Sequence, residues 1–401
     1  MLVRRVALVL MVLVLVLAAY LYGRSQSLAG IPPEDKKSVD LYAQALKTVR
    51  EDYVDQESID SNKQTYAAIG GMLDSLGDKG HTRFLTPDEV EKNREGLSEK
   101  YVGVGIRLKE KDSEAVVSSP IDGSPAKAAG IKSGDVLVAV DGESVEGEKV
   151  EDISKKVRGP EGSEVELTVR RDGEEKKFSI ERAELKVPAA SYQIVPGTDV
   201  AQVRLTAFSE NSAETLKNTI AEAQAAGAKR FVLDLRDNAG GLVEQAEKVA
   251  AQLLPEGSGI YIRKDANGQE EQKVPKGDEP LDAPMVVLVN KGTASAAEIL
   301  AGALEDDNRA KLVGETTFGT GTVLDQYPLS DGSAVLLAVA EWLTPRGNFI
   351  RGAGITPDVE VKLDKDQQPI TPDEAKDLSK KEIFDQDVQL ERAYEALEGQ
   401  T

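Results

Sequence analysis

The amino-acid sequence reads as an α/β multidomain protein, with an N-terminal helical segment, a β-rich module and an α/β core built on a mixed sheet. Three observations carry that reading. Between Pro33 and Glu95 apolar residues recur at helical spacing: Leu41, Ala45, Leu46, Val49 and Tyr53, then Ala67, Ile69, Met72 and Leu73. From Tyr101 the pattern turns to short β runs, 102–106, 115–119, 136–140 and 165–170, punctuated by the turn dipeptides Asp141-Gly142 and Asp172-Gly173. From Val200 strand and helix patterns alternate, as βαβ units around a partly parallel sheet do.

Taken in order, residues 1–30 carry an address. Arg4 and Arg5 precede an apolar run from Val6 to Tyr22, followed by polar residues from Gly23 to Ser27. A basic flank before an apolar stretch is an export signal, and this one is just long enough to cross a bilayer. It is apolar on every face, unlike a helix of a soluble core. The expectation is an uncleaved signal anchor with its basic flank in the cytoplasm. The body is then extracytoplasmic on a single-pass membrane protein. Cleavage after Ala29 would make it secreted or periplasmic instead.

Residues 31–97 form the helical segment. Gly77-Asp78-Lys79-Gly80-His81 interrupts it as a loop, and Thr86-Pro87-Asp88-Glu89 restarts a helix with Thr as N-cap and Pro in the first turn. Residues 98–185 form the β-rich module, with short helices at 125–129 and 150–157. Residues 186–362 form the α/β core. Its predicted strands are 200–205, 231–235 and 285–289, and its predicted helices 213–226, 242–254 and 296–304. Residues 363–401 form a polar tail with a helical stretch at 388–397.

Composition removes several functions. The net charge of −21 argues against a nucleic-acid partner, because phosphates demand a basic face. The chain has no cysteine, which removes disulfides, thiol catalysis and thiolate metal sites. With one histidine, His81, there is no multi-histidine metal site, and no cofactor is expected. Aromatic residues make up only 4 %, so the cores must rely on Val, Ile, Leu and Ala.

Two strings in the β-rich module carry a resemblance: Tyr101-Val-Gly-Val-Gly-Ile106 and the run from Ser124 to Gly142, SPAKAAGIKSGDVLVAVDG. Together they resemble a PDZ domain. Gly103 and Gly105 let backbone N–H groups turn inward towards a terminal carboxylate. The expected peptide-binding residues are Tyr101, Val102, Gly103, Val104, Gly105 and Ile106. The helix at 150–157 would form the other wall, and Arg158 matches an arginine that in such proteins couples this module to the rest.

The core has its own strings: Asp234-Leu-Arg-Asp-Asn-Ala-Gly-Gly241, Asn290-Lys-Gly-Thr-Ala-Ser-Ala-Ala-Glu298, Gly314-Glu-Thr-Thr-Phe-Gly-Thr-Gly-Thr-Val323 and Gly354-Ile-Thr-Pro-Asp358. They resemble the carboxy-terminal processing (tail-specific) serine proteases. A strand at 285–289 leads through a tight turn to Ser295 at a helix start. There the hydroxyl is exposed, and the first N–H groups favour a developing oxyanion. Ser295-Ala-Ala-Glu298 also spells an ordinary capping box. The resemblance makes Ser295 the nucleophile, with Ala296 and Gly240, or Gly241, as oxyanion donors.

The base is where the pattern departs. The family's Phe-Gly-Lys-Gly-Thr-Val-Gln string reads here Phe318-Gly-Thr-Gly-Thr-Val-Leu324, so Thr320 replaces the lysine and Leu324 its glutamine partner. A threonine hydroxyl cannot take the serine proton at neutral pH. Either the protein is inactive, or Lys291 or Lys311 substitutes, or His81 does. Gly80-His81-Thr82 resembles the tricorn-like branch, whose histidine activates the serine, and Glu341 is the candidate to orient its ring. The expected function is an extracytoplasmic endopeptidase acting on proteins or peptides with free C-termini. The alternatives are a tail-binding pseudoprotease, and an esterase or amidase on the same site. The sequence leaves self-association open.

Overall fold

The computed structural model describes residues 32–78, 81–97, 100–111, 113–121, 123–277, 279–364 and 367–399. The expected anchor lies outside the described residues. Among those described, no helix is long and apolar enough to cross a membrane. The chain divides into two compact units at Met72/Leu73.

In the first unit, α1 spans Pro33–Asp52, and α2 begins there and spans Ser61–Asp74. The helical spacing is realised, but α1 buries none of its residues, and Leu41 is 67 % exposed. The expected 31–97 segment is therefore not one module. Its last part belongs to the second unit. There β1, Arg83–Leu85, precedes α3, Pro87–Leu97, whose start is closed by the Thr86 and Glu89 capping box.

The β-rich module comprises β2 Lys100–Gly103, β3 Ile106–Lys111, β4 Glu114–Pro120, α4 Pro125–Ala129, β5 Val136–Val140, β6 Glu143–Ser144, α5 Val150–Val157, β7 Glu164–Arg171, β8 Glu174–Glu181 and β9 Ala183–Lys186. Its sheet runs β3-β4-β5-β7-β8 with β6 on β5, so β3 is an edge strand; β2 pairs with β9 in a separate ribbon. The β7–β8 hairpin turns on Asp172-Gly173, both at positive φ, as its tight turn requires. Val117, Leu137, Ile153, Leu167 and Val169 form a core of the module's own.

The core continues with β10 Ala190–Ile194, β11 Val200–Leu205, α6 Ser212–Ala225, β12 Arg230–Asp234, α7 Val243–Leu253, β13 Gly259–Asp265, β14 Gly268–Lys273, β15 Met285–Val289, α8 Ala296–Asp306, β16 Lys311–Gly314, β17 Thr322–Pro328, β18 Ala334–Leu343, β19 Val359–Glu360, α9 Pro372–Ala375, α10 Lys380–Gln386 and α11 Val388–Glu398. The main sheet runs β10-β11-β12-β15-β16-β19, parallel except at β10, so the mixed sheet is present.

Alternate residues of its central strands point to opposite layers. Phe231, Leu233, Met285 and Val287 pack with Leu300 and Leu304 of α8. Val232, Val286 and Leu288 pack with Ile383, Leu390, Ala393 and Leu397. Burial on both faces explains why 231–235 and 285–289 read as unbroken apolar runs. It also corrects the polar tail: residues 370–397 supply the second helical layer.

A second sheet, β1-β18-β13-β14 with β17 on β18, was not foreseen. Strand β14 reads Gly-Gln-Glu-Glu-Gln-Lys and is largely exposed, so it carries no apolar alternation to detect. The β-rich module is tied to the core through its edge strand. Arg107 pairs with Asp373, and Lys109 reaches Glu374 at 2.9 Å, both carboxylates on α9.

Candidate active site

Parallel strands end at one edge of their sheet, and loops gather there. Two such loops follow β12 and β15 and are laced together. Asn290 accepts from Asp237 N–H at 2.9 Å and donates to the Asp237 carboxylate at 2.8 Å. Thr293 Oγ1 donates to the Leu235 carbonyl at 2.8 Å, and Ala294 N–H donates to the Asn238 carbonyl at 2.9 Å. Asn238 is fully buried and ties this loop to the Leu205 carbonyl. The lacing leaves Ser295 little freedom.

Ser295 stands at φ 55°, ψ −121° as N-cap of α8. An ordinary N-cap residue is extended; this conformation is strained for a non-glycine residue and persists only where the surroundings enforce it. Its N–H donates to Glu298 at 2.9 Å. The Glu298 carboxylate is buried and accepts three further donors: Thr317 Oγ1, Gly319 N–H at 2.7 Å and Thr320 N–H at 2.9 Å. A residue read from sequence as a capping partner thus clamps the 317–320 loop to the serine turn.

Gly240, at φ +96°, lies directly against that turn: a Cβ on it would be 2.7 Å from Ser295 Cβ and 2.9 Å from Ala296 N. Its own N–H, however, donates to Asn238 Oδ1 at 2.9 Å. Among the described residues, the N–H groups of Gly241 and Ala296 have no backbone acceptor. Gly240 is thus the side-chain-free floor of the serine turn with its own N–H engaged, whereas Gly241, the other glycine expected as donor, has no backbone acceptor among the described residues.

His81 sits in the loop before β1. Its Nδ1 is buried without a hydrogen bond and lies 3.3 Å from Asp78 Oδ1. Asp78 accepts from Thr82 Oγ1 at 2.7 Å and pairs with Arg351. Burial pushes the Asp78 carboxyl up, but the Thr82 hydroxyl and Arg351 outweigh it and hold it below its usual range. Glu341, expected beside the ring, contacts Arg351 at 3.4 Å instead. The carboxylate at His81 is Asp78, which the sequence reading passed over. Among the described residues, no hydrogen bond joins the His81 ring to Ser295. The two clusters meet at the 319–321 loop, where Gly321 packs on the Arg351 backbone.

Neither candidate lysine is placed for catalysis. Lys291 is 78 % exposed and faces Glu315 at 3.5 Å. Lys311 opens β16, whose far end, Gly314, lies beside Val289, so Lys311 is at the opposite edge of the sheet from Ser295. Thr320 is buried with its N–H on Glu298.

The residues expected to bind peptide lie on the β-rich module, apart from this site. Tyr101, Gly103, Val104, Gly105 and Ile106 line a groove of about 90 Å³ with Leu108, Ser154, Val157 and Arg158. Val102 does not line it; it pairs with Glu184 in the β2–β9 ribbon. One wall is the edge strand β3 and the other is α5. Gly105, at φ +84°, is packed so closely on Ser124 that a Cβ would be 2.2 Å from its Cβ. The Arg158 guanidinium stands 5.8 Å over the Tyr101 ring. Among the described residues, no group of acidic or histidine side chains could hold a metal ion.

A strained serine turn at a sheet edge, together with a strand-and-helix groove on a separate module, defines a class, and comparison with known proteins agrees. Residues 199–361 match the profile of Peptidase family S41, and residues 116–171 match a PDZ domain. Over 363 residues the chain is 34% identical to a CtpA-like serine protease of Staphylococcus aureus (strain COL), covering 90% of this chain and 72% of that protein. It is also 34% identical to the photosystem II D1 C-terminal processing protease, covering 79% of this chain and 86% of that one, at a TM-score of 0.48. An S41 protease structure from Bacteroides fragilis NCTC 9343 shares the fold at a TM-score of 0.53 and 17% identity, covering 79% and 89%. The protein is a serine-type peptidase with a PDZ domain. It belongs to peptidase family S41.

Proposed function

We propose that this peptidase is an extracytoplasmic endopeptidase that holds protein C-termini in the groove between β3 and α5. It would cleave a peptide bond through an acyl-enzyme on Ser295. The observation that carries the proposal is the strained Ser295 turn, pressed against Gly240 and clamped by Glu298. In the proposed reaction Ser295 Oγ attacks the scissile carbonyl and gives its proton to His81. The Ala296 and Gly241 N–H groups stabilise the oxyanion. Collapse expels the amine, which takes the proton back, and water then hydrolyses the ester. His81 is assigned as base because Asp78 sits at its Nδ1, leaving Nε2 to exchange the proton, and because Lys291 is largely exposed against Glu315 and Lys311 lies at the opposite sheet edge. Catalytic hydrogen bonds often close only on substrate binding.

The open edge of β3 supports tail binding, since an added strand pairs there and the glycine-bearing loop receives the terminal carboxylate. The basic and apolar N-terminal run supports membrane anchoring with the body outside.

The test uses matched peptides ending in a carboxylate or an amide. Ser295→Ala should abolish cleavage while the acid peptide still binds, and the amide should bind more weakly. Equal affinity for acid and amide would remove the tail-reading role. Binding without cleavage by the parent chain would leave only a tail-binding protein.

A further inference from the structure

The chain has seven phenylalanines, and two of them, Phe318 and Phe349, are 63% and 55% exposed. The other five are buried or half-buried. Exposure of a large apolar ring costs stability, and here it is not the result of a loose backbone. The Phe318 N–H donates to the Thr293 carbonyl at 2.9 Å, two residues before Ser295. The next two N–H groups bind Glu298, three residues after Ser295. Behind the ring, Gly319 accepts from Gly352 N–H at 2.8 Å and is packed so tightly that a Cβ would be 2.8 Å from Gly354 N. The loop is held on both sides of the serine, yet the ring is held out of the core.

We propose that Phe318 forms an apolar subsite beside Ser295 that receives an apolar side chain of the substrate residue flanking the scissile bond. The subsite rests on the assignment of Ser295 as nucleophile. Phe318 selects among peptides by contact area, and its tethered backbone keeps the position of the residue beside the serine turn fixed. The substrate class is a peptide cut next to a large aliphatic or aromatic residue.

The experiment compares the parent with Phe318→Leu and Phe318→Ala on two peptides. They share one C-terminal tail and differ only in carrying Leu or Ser beside the cleaved bond. A fluorophosphonate is applied in parallel to report whether Ser295 can still be acylated. The ratio of kcat/KM for the Leu peptide over the Ser peptide should fall about tenfold or more in Phe318→Ala, with Phe318→Leu between. The label should still form in both variants. An unchanged ratio overturns the proposal. So does loss of labelling in Phe318→Ala alone, which would make the ring a support of the serine turn. Absence of label in the parent would instead remove the nucleophile assignment itself.

Discussion

Gly240→Ala tests the closeness of the glycine loop to the serine turn. Position 240 has φ +96°, where an L side chain is strained by about 1–2 kcal/mol. The new Cβ would lie 2.7 Å from Ser295 Cβ, 2.8 Å from the Ala294 carbonyl oxygen and 2.9 Å from Ala296 N. None of these is the end of a flexible side chain, so the main chain must give way. Overpacking of this kind costs about 1–3 kcal/mol. Together the two effects reach about 2–5 kcal/mol, or a fall in Tm of roughly 5–15 °C for a domain of this size. The relief available is to push the 294–296 turn away, and a 1 Å misplacement of a reacting group costs about a hundredfold. We expect kcat/KM for peptide cleavage to fall about a hundredfold or more. Tail binding, measured by fluorescence polarisation, should stay at the parental value, because the groove is built from other elements. Parental Tm together with turnover within about threefold of the parent would refute the reasoning.

Three further outcomes follow from other parts of the structure. His81→Ala should cost several orders of magnitude in kcat, and Lys291→Ala and Lys311→Ala should cost little; near-parental kcat in His81→Ala would remove it as base. Arg236 is fully buried between Asp234, Asp387 and Gln389, so Arg236→Met leaves carboxylates uncompensated and should cost about 3–5 kcal/mol in denaturant unfolding. Burial alone would raise the Asp234 carboxyl, but Arg236 and Arg204 hold it down at about 2, against 3.8 ordinarily. Its folded-state value is depressed, so its contribution of about 2 kcal/mol is present above pH 4 and is lost as pH falls from about 4 through 2, which acid unfolding would show.

What the sequence disclosed follows from physical range. Strands 231–235 and 285–289 were legible because both faces are buried, the helix at 125–129 because its Ser124 cap is local, and the helix at 150–157 because its spacing is. Ser295 and the Gly240-Gly241 pair stood out through the strings that resemble the processing proteases, since Ser295-Ala-Ala-Glu298 by itself reads as an ordinary capping box. Asp78 did not, being one of 70 acidic residues, and its pairing with Arg351 spans 273 positions. Strand β1 is three residues long, too short to show alternation, yet its pairing with β18 brings His81 onto the core. Glu298 was visible only as a cap, since the loop it clamps is 19 to 22 residues downstream.

The central claim is that Ser295 forms the covalent bond, and active-site labelling addresses it directly. The intact chain would be treated with a fluorophosphonate, digested with trypsin and read by mass spectrometry, with residual peptidase activity followed in the same samples. The account predicts a single adduct on the tryptic peptide Gly292–Arg309, located at Ser295 and formed in proportion to lost activity, and no adduct in Ser295→Ala. An adduct on another residue, or full cleavage activity in Ser295→Ala, would contradict it.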